Sequence, residues 1–341
     1  MGHMQLKEIK AVPYERAEVN KGYTDQSLEI NLGDADIRIS PIETAVKEKF
    51  IGGKGYDLWY MWHAVKGTTK WNDPENTICI SAGPLGGTPG YPGGGKSIVT
   101  AISPLTGAPI DSNVGGYFGP YKKFSGFDII ALTGKADQDT VVFIDGIENK
   151  IKIFAASDLP ETAYELSDAL TRYFDEKKPV NVSVVTAGPG AENTNFGCLN
   201  FSWFDAGRKR VRYKQAGRGG IGTVFADKKI KAVVARFGAI SMKTNNPADL
   251  EALKTVTKTH AKEINTLDPK QNRMALVGTT HLVPIMNDHD CLPTHNFKFG
   301  SHPGAAVIGE DVYEHIFDKG FDGCWRGCAV ACSHGVKDFS P

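Results

Sequence analysis

The feature that most constrains this chain is its glycine-rich middle. Thirteen glycines fall within the 52 residues from Gly83 to Gly134. A typical share is about 7%. Glycine weakens regular elements, but it allows positive φ and close approach of the backbone to a ligand. Two readings stand side by side. One is a β domain with many tight turns. The other is a set of loops whose amide groups form a pocket for a polar, phosphate-bearing ligand.

Within this stretch, Gly90-Tyr91-Pro92-Gly93-Gly94-Gly95-Lys96-Ser97 matches the G-x4-G-K-[ST] phosphate loop letter for letter. That loop needs a buried strand just before it and a helix starting at the lysine. The strand candidate Thr77 to Ser81 ends nine residues before Gly90. Ile98 to Ile102 is β-prone and runs into Ser103-Pro104, which leaves no room for a helix. A nucleotide site there is disfavoured.

The rest of the first half reads as β-rich. Ser27 to Leu32 and Ala35 to Ser40 alternate around Gly33-Asp34 as a hairpin. Ser97 to Ser103, Asp128 to Thr133, Thr140 to Ile144, Ile151 to Phe154, Val180 to Val185 and Ile230 to Ala235 are further strand candidates. Helices are expected over Glu43 to Phe50, Gly55 to Val65 and Pro160 to Phe174. In the last of these, Leu166, Ala169, Leu170 and Tyr173 share one face. After about Phe237 helical spacing takes over. Pro247 suits a first helical turn, and Thr279 to Met286 and Asp311 to Phe317 continue in helical pattern. The expected fold is α+β: a β-rich N-terminal domain over residues 5–240, then a mainly helical domain over 241–341. The boundary falls within 238–246.

A second glycine cluster, Gln215-Ala216-Gly217-Arg218-Gly219-Gly220-Ile221-Gly222, comes after the basic residues Arg208, Lys209, Arg210, Arg212 and Lys214. Arg218 between glycines suits bidentate phosphate binding. A solvated basic loop ending in a turn is the plainer reading.

Lys+Arg and Asp+Glu balance at 39 each, so no broad field draws the chain to nucleic acid or an anionic membrane. No apolar run reaches the length of a membrane-spanning helix. The start lacks the pattern of a signal peptide, and Met1-Gly2-His3-Met4 reads as a cloning remnant. A cytoplasmic location is expected. Of six cysteines, Cys324, Cys328 and Cys332 form C-x3-C-x3-C. Such a cluster in a cytosolic chain suggests an iron–sulfur or zinc centre. His334 could complete a zinc site, and buried free thiols remain the alternative.

Several segments together resemble the aldehyde:ferredoxin oxidoreductase family. They are Ile51 to Gly55, "SAGPLGGT" (Ser81 to Thr88), "SPLTG" (Ser103 to Gly107), "SNVGGYFGPYKKFSGFDIIALTGKA" (Ser112 to Ala136), "AGRGGIG" (Ala216 to Gly222), "THNFKFG" (Thr294 to Gly300) and the cysteine cluster. The resemblance implies a tungsten, or less often molybdenum, bis-pyranopterin with Mg2+ between its phosphates and a [4Fe-4S] cluster nearby. It implies a base of two β-sheets under the pterins, covered by helical domains.

Carried over by position, Lys96 stands where the family usually has an arginine on a pterin phosphate. Asn113 matches a residue whose carbonyl holds magnesium, and Gly115 a close pterin approach. Gln215, Ala216, Gly217 and Arg218 match the second phosphate loop. Cys324, Cys328 and Cys332 match three of four cluster ligands. The first cysteine gap is one residue longer than usual, and Asn200 to Lys214 is longer than its counterpart. The family's catalytic residues, its D-x-x-G-L motifs and its fourth cluster cysteine are expected beyond Pro341, so no catalytic residue is assigned.

The resemblance implies anaerobic oxidation of aldehydes to carboxylic acids, or the reverse, with electrons passed to ferredoxin or an iron–sulfur partner subunit. It leaves room for a homodimer. Alternatives are a tungsten subunit of a benzoyl-CoA-type reductase, or a non-catalytic cofactor-binding fragment or split subunit.

Overall fold

The computed structural model describes residues 4–316 and 319–336. Residues 1–3, and Phe317 at the end of the last expected helix, lie outside these. The chain divides into two units. One comprises Met1–Thr88 and Gly93–Leu250; the other comprises Pro89–Pro92 and Glu251–Pro341.

The first unit contains β1 (Gln5–Pro13), β2 (Gln26–Asn31), β3 (Asp36–Pro41), α1 (Thr44–Phe50), α2 (Lys54–Ala64), β4 (Ile78–Ser81), β5 (Ser97–Ile102), β6 (Pro109–Val114) and α3 (Phe118–Phe124). It continues through β7 (Ile129–Thr133), β8 (Thr140–Asp145), β9 (Lys150–Ser157), α4 (Ala163–Asp175), β10 (Val182–Ala187), α5 (Gly190–Asn193), β11 (Leu199–Asp205), β12 (Arg210–Ala216), α6 (Ile221–Asp227) and β13 (Ile230–Arg236). These strands form two mixed sheets. One is six-stranded in the order β3-β2-β7-β4-β5-β6; the other is seven-stranded in the order β1-β9-β8-β13-β10-β11-β12.

The period of two in each strand explains how the layers stack. On β8, Val142 and Ile144 join a core shared with Leu28, Ile30, Ile80 and Ile130 of the other sheet. The alternate residues Val141 and Phe143 pack outward with Leu166 and Leu170 of α4. The six-stranded sheet does the same: Cys79, Ile129 and Ala131 face outward to Val46, Tyr56 and Met61 of α1 and α2. Phe118 and Tyr121 of α3, with Val224 and Phe225 of α6, complete the shared core. The order of layers is helix, sheet, sheet, helix. This is the expected α+β arrangement with a β-rich first unit. It is also why the central strands read as unbroken apolar runs: both faces are covered.

The second unit carries α7 (Leu250–Leu267), α8 (Met274–Val277), α9 (Leu282–Asp288), α10 (Glu310–Ile316) and a small antiparallel pair, β14 (Lys319–Phe321) with β15 (His334–Val336). The expected use of Pro247 in a first helical turn is not met, because α7 begins at Leu250.

The solvated-loop reading of the basic run is also overturned. Residues 199–216 form a hairpin in which Trp203 faces Arg212 and Asp205 faces Arg210. Phe201 and Trp203 on one strand and Val211 on the other are buried, and their packing outweighs the exposed charge between them. Strands β1 and β6, with helices α3 and α6, are further elements that the sequence pattern did not signal.

Candidate functional site

The first candidate site is built at one end of β5 and β6. These strands pair antiparallel, with Ser97 opposite Val114 and Ile98 opposite Asn113. That register brings Lys96, just before β5, level with Gly115, just after β6. Lys96 and Asn113 are exposed, and Gly115 is buried. The strand β5 starts directly after Lys96 with no helix, so the aligned amides of a nucleotide loop are lacking there.

The second loop arrives from the other sheet. Gln215 pairs with Asn200 across β11–β12, and its Nε2 donates to Asn200 Oδ1 at 3.2 Å. Ala216 is fully buried and ends the strand. The Arg218 amide then donates to Ser112 Oγ at 3.1 Å, across 106 residues of sequence. Ser112 is the neighbour of Asn113 on β6. Gly219, at φ +72°, lies so close to Ile110 that a Cβ there would come within 2.3 Å of its Cγ2. Gly217 faces open space within 4 Å of where a Cβ would stand. The two loops therefore meet on β6, and Lys96, Asn113, Gly115 and residues 215–218 share one neighbourhood.

Its electrostatics suit an anion. Among the described residues, neither the Lys96 ammonium nor the Arg218 guanidinium has a hydrogen-bond or ion-pair partner. The nearest acid along β6, Asp111, is already taken by Lys54 Nζ at 2.5 Å. Two cations without a partner, one of them flanked by glycines, fit phosphate groups.

Sequence reasoning missed the buried cations that hold this end of the unit together. Lys123 Nζ donates to Pro84 O at 2.9 Å, Gly86 O at 2.8 Å and Asn245 Oδ1 at 3.1 Å. Asn245 Nδ2 in turn donates to Pro84 O at 2.7 Å. The glycine loop after β4 is thus tied from inside. Lys122 Nζ donates to Phe127 O at 2.9 Å and Asp128 O at 2.5 Å. Burial pushes the Lys122 ammonium down to about 8 and the Lys123 ammonium down to about 7, with Asp128 opposing in both cases. Beneath β5, Asp57 is fully buried and accepts from Thr100 Oγ1 at 2.8 Å. Burial raises its carboxyl to about 7. A pair of lysines inside an apolar, aromatic stretch was the available signal, since buried lysines need carbonyl or acidic partners.

The second candidate site lies in the second unit. Cys324, Cys328 and Cys332 are outside any disulfide, on a turn-rich loop, each at least partly exposed. In kind, this donor set fits an iron–sulfur or zinc centre. Among the described residues no three His, Cys, Asp or Glu side chains are drawn together as a ligand group. The loop is not helical, so the three thiols do not line one helix face.

Comparison with known proteins agrees on one lineage. The family model for the aldehyde ferredoxin oxidoreductase N-terminal domain matches residues 27–237, and the model for domains 2 and 3 of the same enzymes matches residues 255–341. The tungsten-containing aldehyde ferredoxin oxidoreductase of Pyrococcus abyssi is 30% identical over 318 residues, covering 93% of this chain and 47% of the relative. That of Pyrococcus furiosus is 30% identical over 278 residues, covering 82% of this chain and 43% of the relative. Among solved structures, the active-site complex BamBC of benzoyl coenzyme A reductase with 1,5-dienoyl-CoA matches with a TM-score of 0.56 and 27% identity. That match covers 65% of this chain and 32% of the solved one.

These comparisons place the chain in an oxidoreductase lineage. This chain belongs to the aldehyde ferredoxin oxidoreductase family, whose relatives above contain tungsten. It spans less than half the length of the curated relatives it matches. Among the described residues no helix is long and apolar enough to cross a membrane.

Proposed function

We propose that this chain is the cofactor-holding part of a tungsten- or molybdenum-pterin oxidoreductase that converts aldehydes to carboxylic acids or the reverse. The observation that carries this reading is the meeting of two loops on β6, with the Lys96 and Arg218 cations unpaired beside it. Lys96 supplies a point charge to a pterin phosphate, and Arg218 a planar fork that can take two phosphate oxygens at once. Gln215, Ala216 and Gly217 shape the second loop, and Gly115 leaves room for a pterin. The Asn113 carbonyl would supply a ligand to Mg2+ that neutralises phosphate charge. When bound, the metal–pterin group supplies the two-electron redox chemistry. The chain's own residues bind it, orient it and balance its charge.

Cys324, Cys328 and Cys332 would supply three of the four thiolate ligands of a [4Fe-4S] cluster, with the fourth outside this set. When bound, the cluster would supply one-electron transfer toward ferredoxin or an iron–sulfur partner subunit, in an anaerobic cytoplasm. The pterin-binding domain is residues 5–240 and the cluster-bearing domain starts at 241. A second reading, the tungsten subunit of a benzoyl-CoA-type reductase, is supported by the likeness to the BamBC complex. A third is a split subunit that is active only with another chain.

The test is anaerobic elemental analysis of chain expressed with tungstate, molybdate, iron and sulfide. Tungsten or molybdenum with about four irons per chain supports the proposal. Zinc alone would remove the cluster assignment, and absence of both tungsten and molybdenum would remove the pterin assignment. Assays of aldehydes against aryl-CoA esters, with any partner chain added back, separate the substrate readings.

A further inference from the structure

The segment Pro89–Pro92 belongs by its contacts to the second unit, although the residues on both sides of it belong to the first. Its contacts are with the cysteine loop and with α7. The Gly90 amide donates to Arg326 O at 2.9 Å. Gly90 (φ +76°) and Gly327 (φ +74°) touch backbone to backbone: a Cβ on Gly327 would stand 3.0 Å from Gly90 Cα. Tyr91 packs on His260 of α7 with ring centroids 6.0 Å apart. Inside the loop, Trp325 is buried and the Cys328 amide bonds to Trp325 O at 3.3 Å. At the other end, Gly278 (φ +64°) passes so close that a Cβ would stand 3.1 Å from Cys332 O.

We propose that Pro89–Pro92 is a clamp that fixes the Cys324–Cys328 turn, with Gly90 and Gly327 as positioning residues for metal capture by the cysteines. The metal ligation rests on the function proposed above; the clamp itself does not. Because the thiols are not drawn together beforehand, the path of the loop decides how far each must swing to reach a shared metal. A Cβ on Gly327 would press on the Gly90 backbone, and Gly90 holds a positive φ that other residues adopt only with strain, so a side chain at either position disturbs this contact.

The test uses the full chain, first without metal. Alkylation by iodoacetamide is monitored at each cysteine by mass spectrometry, with fully buried Cys79 as the reporter of folding. Gly327→Ala and Gly90→Ala are each expected to speed alkylation of Cys328 by about threefold or more, through local opening of the turn. The double variant is expected to add little, since both changes break one contact. Arg326→Ala is expected to change nothing, because the contact uses its carbonyl. If Gly327→Ala unfolds and exposes Cys79, Gly90→Ala carries the test, since its Cβ meets only the Thr257 methyl at 3.1 Å.

The same variants are then loaded with iron and sulfide, and the reduced samples are compared by electron paramagnetic resonance. Altered signals with Cys79 still protected support the clamp. Wild-type alkylation rates together with wild-type spectra in both single variants overturn it. If the unaltered chain takes up no cluster while the alkylation rates shift as expected, the cluster assignment fails and the clamp stands.

Discussion

At the scale of single residues, charge without a partner is the most telling feature of the two loops that meet on β6. An ammonium and a guanidinium left unpaired beside a glycine turn await an anion. Lys96→Ala and Arg218→Ala should each weaken cofactor retention by about 1.5–3 kcal/mol, the range for hydrogen bonds to charged groups. Tungsten or molybdenum content after extensive dialysis reads this out, and full content in the double variant would sink the phosphate assignment. Lys96→Arg should retain the metal at least as well, since it restores the planar fork.

Asp57 makes a second prediction. Its folded carboxyl lies near 7, well above its unfolded value. The stability it contributes is full below about pH 4 and is lost as pH rises toward 7, because only the unfolded chain ionises freely over that window. Asp57→Asn should therefore gain on the unaltered chain as pH rises from about 4 to 7, by up to about 4 kcal/mol. Parallel denaturation curves for the two proteins across that window would contradict the buried, protonated carboxyl.

At the scale of elements, α4 shows local rules at work. Thr162 Oγ1 accepts from the Glu165 amide at 3.2 Å and donates to Glu165 Oε2 at 2.9 Å, a T-x-x-E cap. Thr162→Ala should cost about 1 kcal/mol in urea unfolding. Helix α3 shows the opposite case. Its sequence FGPYKKF carries glycine, proline and two lysines, yet all seven residues are buried. Lys123→Met would strand the Gly86 carbonyl and Asn245 Oδ1 and should cost about 3 kcal/mol, measured by the same unfolding.

The contrast explains what could be read in advance. The hairpin β2–β3, the strands β7, β8 and β13 and the face of α4 announce themselves by periodicity. Helix α3, strand β6 and the basic hairpin β11–β12 are held by tertiary packing and by buried carbonyl partners, and no local pattern records those. Of the site, the glycine and cysteine clusters were visible as types. The resemblance proposed their roles. The register of β5 on β6 and the tie from Arg218 to Ser112 join residues far apart in sequence, so neither could be foreseen from spacing.

At the scale of the whole molecule, each of the two units carries its own candidate cofactor site. Cys324→Ser should lower iron content while leaving tungsten or molybdenum retention near that of the unaltered chain. Metal analysis of one preparation checks both halves of that statement, and joint loss of the two metals would show that the sites depend on each other. The clamp segment has a consequence in time. A ribosome delivers Pro89–Pro92 long before it delivers the residues from Glu251 onward, yet those four residues find their contacts among the later ones. The nascent first unit must therefore finish its sheets with a short loop left waiting. A gene cut after Leu250 would leave that loop on one product and the residues it touches on the other.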